Sequence, residues 1–435
     1  MKDNILKISR EMQSKLEGLR RDFHKYPELA WTEFRTASIV AESLEKLGYA
    51  VSLGEEVMCG SLMKNVLDED VLQEQMTRAI GQGGIERFVS QMSGGKTGVV
   101  GILDTGNPGP TVGIRFDTDA LPITESPDGD HFPTKMGFCS VNEGIMHSCA
   151  HDGHVAAGLG VAMLLAEIKD NLKGKIKLIF QPAEEGVQGG ATAMIKKGVV
   201  DDVDYMFGFH IGLTSKSGAI FCETVDFKAT TKYDINFTGK SAHAGANPED
   251  GKSALLAACA ATMAMQGIYR HSKGSSRISV GVLRSGTASN IVPDHAYLEM
   301  ETRGETTEIN NFMKQEVYRI LQASADMYDV KVGLDPAVIE TGEAISAVCD
   351  SDMVAFTKKV AQELDIFAHV EDQSGLGGSE DYTFFMEHVQ KRGGKATHFI
   401  AGADLAAKHH NPRFDFDDSG LWKIVALIGM MVYDL

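Results

Sequence analysis

Residues 175–210 read KIKLIFQPAEEGVQGGATAMIKKGVVDDVDYMFGFH. Lys175 to Phe180 has the look of a short apolar strand, a helix follows near 190–197, and Tyr205 to Phe209 is a second strand. Upstream, Val99 to Leu103 and Thr111 to Phe116 are two more strands, the second running into Asp117-Thr118-Asp119, and a helix occupies about 153–169. Strand and helix in turn predict an α/β fold, a sheet with helices packed on both faces. The first fifty residues read as a helix pair, with Leu16, Leu19 and Phe23 and then Ala37, Val40, Leu44 and Leu47 at helical spacing, ending at Gly48. Residues 55–96 are polar and helix-prone, and predict a peripheral helical insertion.

Beyond residue 226 the pattern changes. Thr231 to Phe237 alternates like a half-buried strand and Pro248 to Tyr269 is a long Ala-rich helix. Arg277 to Leu283 and Tyr297 to Thr302 are strands, Glu308 to Met327 is a helix, and Val330 to Leu334 is a last strand. The order β-α-β-β-α-β is the ferredoxin-like arrangement. The expected organisation is a main α/β domain at 1–226, an inserted domain at 227–337, and the main domain resuming at 338–435.

The chain has 435 residues with 42 Lys+Arg against 60 Asp+Glu, a net charge of −18. Such an excess argues against a general nucleic-acid or anionic-membrane surface, which needs clustered cations. No apolar run approaches the roughly 20 residues of a membrane helix. The charged, helix-like start has no secretory pattern. Six cysteines without framework spacing fit a reducing, cytoplasmic setting.

Five groups of residues carry chemistry. Cys149 and His151, in MHSCAHDGH, sit too close to share a helix face, but a turning loop before a helix, with Asp152 as its cap, could converge them on one ion. Taken alone, a buried unreactive Cys and a helix-capping His read equally well. Glu184 and Glu185 follow the strand KIKLIF, at the carboxyl end where α/β proteins place ligands. One could bind a metal while the other acts as a base, against the blander alternative of a solvated surface pair. His210 ends the strand YMFGF, where a lone His is more often structural. His409-His410 precedes NPRFDFDD, and Asp117 and Asp119 close the strand VGIRF. Five such groups at loop or strand-end positions in one chain point to a two-metal hydrolytic site.

The motifs RFDTDALP, MHSCAHDGH, PAEEG, FHIG, GKSAHAGANPEDGKSAL, SGTASNIVPDHAYLEMETR, GGSEDYTFF and HHNPRFDFDD occur in the order found in the metallopeptidase-like amidohydrolases. The chain resembles that family over nearly its whole length. The family includes aminoacylases, glutamate carboxypeptidases and N-acyl-amino-acid (auxin-conjugate) hydrolases, and the 55–96 insertion points to the branch that cleaves aroyl-glutamates. The resemblance implies that Cys149 lies between two divalent ions, zinc or manganese, with His151 and His210 holding one and Glu185 and His410 the other. It implies that Glu184 is the general base and Asp119 an orienting carboxylate, while Asp117 is not a ligand. His410 is favoured over His409 by the alignment on the Phe414 motif. The inserted domain resembles a lid or dimerisation domain, with His243 reaching a partner's site and Asn290 and Arg303 binding the substrate's α-carboxylate. Arg suits that task because its fork grips a carboxylate bidentately. Surface salt-bridge duty for Arg303 and a helix-start position for His243 are the plainer alternatives.

One departure stands out: the family usually has Gly between the Cys and the His, and this chain has Ala150. If that position has positive φ, Ala costs on the order of 1 kcal/mol there. The expected activity is metal-dependent hydrolysis of an N-acyl or N-aroyl amino acid, with p-aminobenzoyl-glutamate favoured. A broader N-acyl-amino-acid deacylase or dipeptidase is the alternative. Further off stand a Cys149 nucleophile, which would leave Glu184, Glu185, His210 and His410 idle, and a non-catalytic member of a heteromer. The expected partners are a second copy, through the lid domain, and a related B-type subunit.

Overall fold

Among the described residues, thirteen strands fall into two sheets: β1 (Ala50–Leu53), β2 (Val99–Asp104), β3 (Thr111–Asp117), β4 (Lys175–Gln181), β5 (Tyr205–Ile211), β6 (Ala219–Val225), β7 (Ala229–Thr238), β8 (Ser276–Ser285), β9 (His295–Gly304), β10 (Lys331–Val332), β11 (Val338–Ala344), β12 (His369–Gly375) and β13 (Lys395–Ala401). This computed structural model describes residues 1–213, 216–332 and 338–435. Gly333 and Leu334 of the expected last strand, and the expected domain end at 337, lie outside the described residues.

The chain divides into two compact units. The first comprises Met1–Val225, Val348–Leu376 and Asp381–Leu435. Its mixed sheet has the order β1-β2-β4-β3-β5-β13-β6-β12. Strands β4, β3, β5 and β13 are mutually parallel, so their carboxyl ends share one edge, the edge where such sheets bind ligands. Helix His151–Glu167 packs on β3 and β4, and helix Tyr382–Lys391 packs on β5 and β13. Successive residues of β5 serve the two faces: the Phe209 ring meets Phe116 and His154, while Gly208 faces Tyr382. A Cβ on Gly208 would stand 2.7 Å from the Tyr382 ring, so only glycine lets that helix approach.

Several elements depart from the sequence reading. The amino-terminal region forms three helices, Lys2–Glu11, Gln13–Lys25 and Phe34–Lys46, instead of a pair. The 55–96 segment is not peripheral. Its α-helical part is limited to Glu69–Gly81 and Glu86–Val89, and Leu72, Met76, Phe88, Val89 and Met92 join the main core. Leu72, Met76 and Ala79 recur at i, i+4 and i+7, the spacing that buries one helix face.

The second unit comprises Asp226–Ala347 and Gly377–Glu380. Its antiparallel sheet has the order β10-β7-β9-β8, and β11 also pairs with β7. Helices Ala254–Gln266 and Thr307–Met327 cover one face over Tyr233, Ile235, Phe237, Leu298 and Met300. Ser253 and Thr306 cap them, accepting from Leu256 N and Ile309 N. The first helix is shorter than 248–269 because Pro248–Asp250 forms a separate 3-10 turn. The sheet's other face carries alternate, partly exposed residues of β9, namely Tyr297, Glu299, Glu301 and Arg303.

Candidate metal centre

The carboxyl edge of the first unit's sheet gathers the sequence-predicted ligands. Cys149 lies on the turn entering helix His151–Glu167, Glu184 and Glu185 lie in the loop after β4, His210 lies in β5, and His410 lies beyond β13. Two sets of donor atoms, each within 4.8 Å of one another, share the thiol: Cys149, His151 and His210, and Cys149, Glu185 and His410. Cys149 Sγ is 3.5 Å from His210 Nε2, and His410 Nε2 is 3.5 Å from Glu185 Oε1.

The surrounding hydrogen bonds suit these atoms to an ion. His151 Nδ1 sits 2.8 Å from the Asp119 carbonyl oxygen, and His210 Nδ1 sits 2.9 Å from that of Ile211. Each ring therefore carries its proton on Nδ1, leaving the Nε2 lone pair for a metal. Glu185 Oε1 is buried without a hydrogen bond. Burial and the Glu185 and Glu184 carboxylates push the Cys149 thiol well up, and burial holds His210 well below the usual imidazole range. A thiolate among carboxylates needs cations, and thiolate, imidazole and carboxylate are the donor set of zinc and its first-row neighbours. The residues fit the group. The same field disfavours a Cys149 nucleophile, which requires a depressed thiol.

Asp117, with His151 and His154, forms a third cluster that is not available in this way. One Asp117 oxygen takes the Arg115 guanidinium and the other takes His154 Nδ1, while His154 Nε2 accepts from Ile211 N. Both His154 nitrogens are thus committed.

Asp119 braces the loop after β4. Its two carboxylate oxygens accept the backbone N–H groups of Glu184 (3.0 Å) and Glu185 (2.9 Å), which fixes the loop bearing both carboxylates. Glu184 Oε2 lies 3.9 Å from His151 Nε2. Left-handed backbone occurs at Ala150 (φ 67°) and Ala183 (φ 56°), beside these groups, and at His410 (φ 61°) itself. Non-glycine residues held there store strain, which concentrates at functional sites. Asp152 is not the helix cap; its carboxylate is turned to Arg20 and His24.

Two further buried carboxylates, outside the sequence-predicted set, support the loop. Glu33, fully buried, accepts Ala183 N at 2.9 Å. Asp381 accepts from Gln181 Nε2, Ala191 N and Arg115, bracing the start of the Glu184 loop. Arg115 inside the apolar strand VGIRF was the available signal, since a buried charge requires a buried partner.

The three residues expected to bind substrate all belong to the second unit. His243 and Asn290 lie on adjoining loops, with Ala244 N donating to Asn290 O at 2.9 Å and His243 bridging to Ile291. His243 Nδ1 accepts from Gly245 N and Ala246 N. Arg303 stands on the open face of the sheet and grips Glu301, at 2.8 and 3.1 Å.

The family model described as Peptidase family M20/M25/M40 matches residues 113–432. The chain is 44% identical over 96% of its length, and 95% of the relative's, to the A-type subunit of the p-aminobenzoyl-glutamate hydrolase of Escherichia coli K12. It is likewise 44% identical to the indole-3-acetyl-aspartic acid hydrolase of Enterobacter agglomerans, over 94% of this chain and 93% of that one. The crystal structure of the aminobenzoyl-glutamate utilization protein from Klebsiella pneumoniae superposes with a TM-score of 0.84 at 37% identity, covering 98% of this chain and 97% of that one.

Proposed function

Because the chain belongs to peptidase family M20/M25/M40, and is a metal-dependent amidohydrolase acting on C–N amide bonds, we propose that it cleaves N-aroyl glutamates, with p-aminobenzoyl-glutamate as the favoured substrate. The observation carrying this reading is the cluster in which half-buried Cys149 is common to two sets of donors with Glu184 beside them. His151 and His210 would hold one divalent ion, Glu185 and His410 the other, and Cys149 both. The thiol favours zinc, while the imidazoles and carboxylate also accept manganese. Bound ions supply Lewis acidity, bringing the pKa of water down towards about 7 and offsetting charge on the amide oxygen.

The chain's own residues supply the proton path. Glu184 takes a proton from the attacking water as its oxygen bonds to the amide carbon. It then passes that proton to the departing nitrogen as the C–N bond breaks, leaving a free acid and a free amine. Asp119 holds the Glu184 backbone in register for both transfers. Arg303 would grip the amino acid's α-carboxylate with Asn290, and His243 would contact the substrate. The two 44%-identical relatives are named for amides of glutamate and of aspartate, which supports an acidic amino acid on the leaving side. The same pairing favours a second reading, a broader deacylase of N-acyl acidic amino acids. A second copy, a cytoplasmic setting and a related B-type subunit complete the proposal. The setting rests on the six free cysteines, and the B-type partner on the Escherichia coli relative's name.

Metal analysis and glutamate release by the purified chain test it, with and without chelator and beside Glu184→Gln. The expected result is about two ions per chain and hydrolysis that chelation abolishes. Glu184→Gln is expected to retain the ions and lose at least a hundredfold in kcat. Turnover surviving complete metal removal would sink the proposal, and faster cleavage of acyl aspartates would hand it to the second reading.

A further inference from the structure

The open face of the second unit's sheet carries an arrangement the proposed chemistry has not used. Strands β8 and β9 pair antiparallel with Arg277 directly opposite Arg303. Directly opposed residues project from the same face, and like charges in that position repel. The next row brings Glu301 opposite Lys232 of β7 and Ser279 of β8. Three cations thus crowd two rows around a single carboxylate, in a chain whose net charge is −18. Glu301 is committed to Arg303. Arg277 is exposed and has no ion pair among the described residues; its guanidinium donates to the carbonyl of Ser276 at 2.9 Å.

Opposed arginines in a sheet are unfavourable unless an anion joins them. Directly opposed side chains start about 5 Å apart, a separation comparable to that between the two carboxylates of one acidic amino acid. We propose that Arg277 is a specificity-determining residue that takes the side-chain carboxylate of the substrate's acidic amino acid while its cross-strand partner Arg303 takes the α-carboxylate. This rests on the reading of Arg303 given above. The substrate class is therefore an N-acyl dicarboxylic amino acid, and Glu301 occupies Arg303 until the ligand's carboxylate replaces it. The planar fork of each arginine matches a carboxylate in two hydrogen bonds, which a lysine could not reproduce.

The test compares two substrates sharing one aroyl group, p-aminobenzoyl-glutamate and p-aminobenzoyl-glutamine, its isostere with an uncharged side chain, with wild type, Arg277→Gln and Arg303→Gln. The metal-loaded full chain is used throughout. Thermal unfolding confirms that each variant folds. Arg277→Gln is expected to raise KM for the glutamate substrate roughly tenfold to a hundredfold. The preference for glutamate over glutamine, read as the ratio of kcat/KM values, should collapse by a similar factor. Arg303→Gln is expected to weaken both substrates together, since both keep the α-carboxylate. An Arg277→Gln loss equal on the two substrates, or no loss, overturns the inference while a shared Arg303→Gln loss leaves the α-carboxylate reading standing. If Arg303→Gln weakens neither substrate, that reading has failed instead. Arg277→Lys adds a further check, because a charge without the fork should restore only part of the preference.

Discussion

His409 and His410 are neighbours in the chain and face different surroundings. The His409 ring packs 5.2 Å from that of His210 and 4.7 Å from that of Phe414. His410, at φ 61°, turns its Nε2 towards Glu185, and its backbone N–H donates to Ser148 O, one residue before Cys149. That bond ties the two proposed ligand turns together. Replacing His410 with Ala is expected to cost about one bound ion per chain and at least a hundredfold in kcat/KM. His409→Phe keeps a ring against Phe414 and is expected to hold the full ion count. Elemental analysis of the two proteins decides it, and an equal loss from both would refute the distinction. The residue types of the cluster were legible in the sequence because five groups of thiol, imidazole and carboxylate recur at strand ends and loops of one chain, although each alone has a plainer use. Which of the two adjacent histidines meets Glu185 follows from the Phe414 motif and not from residue type, since it depends on the sign of one φ angle that histidine does not dictate. The same holds at Ala150, where φ 67° makes the Gly-to-Ala departure a strained one, on the order of 1 kcal/mol.

Helix Gln13–Lys25 shows how one element holds the centre from behind. Its Arg20 donates to Asp152 and Asp415, and its His24 lies 2.8 Å from Asp152 and 3.0 Å from Glu125. Burial alone would lower the His24 pKa, but the bonds to Asp152 and Glu125 outweigh it and raise it from 6.5 to about 9. Burial would raise Glu125, yet the bonds from His24 and Ser140 N bring it from 4.5 down to about 2. A raised pKa contributes stability below the unfolded value that is lost as pH climbs through the folded one. The His24 contribution is therefore complete below pH 6.5 and fades towards 9. The Glu125 contribution is complete above pH 4.5 and fades towards 2. The urea midpoint of His24→Gln should fall short of wild type most at about pH 6, with the gap closing by about pH 10. A gap that stays constant would mean His24 acts through packing alone. This network was invisible in the sequence because Arg20 and His24 sit in a helix whose periodic residues advertise only its apolar face. Strands β12 and β13 escaped for a related reason. HVEDQSG is a polar, exposed edge, and KATHFIA buries Thr397 and His398 among apolar neighbours, so neither shows clean alternation.

At the scale of the whole molecule, the proposed partnership between copies depends on the second unit alone. Its two helices leave large apolar side chains in solvent: Leu256 at 50% exposure, Met263 at 73% and Met327 at 70%, with Tyr269 at 87% just beyond the first helix. Leu256 and Met263 are seven residues apart, two helical turns, and so share one stripe. Tyr269 and Met327 line a groove with Ala260, Ala264, Gly267 and Ile320 between the same helices. Large exposed apolar side chains of this kind, beside a groove that Glu316 and Arg319 also line, suit the proposed contact with another protein. A second copy suits that face, because a two-fold contact between identical apolar helix faces is self-complementary and closes without leaving an open end. The expected mass in light scattering is that of two chains. Met263→Glu with Tyr269→Glu, both exposed and remote from the unit's core, should shift it to one chain without lowering the unfolding temperature of the monomer's own core. A wild-type chain that is monomeric at every concentration would remove the second copy. A double variant that stays dimeric would move the interface to the exposed edge of β8, where unpaired backbone groups offer the unit's other means of association.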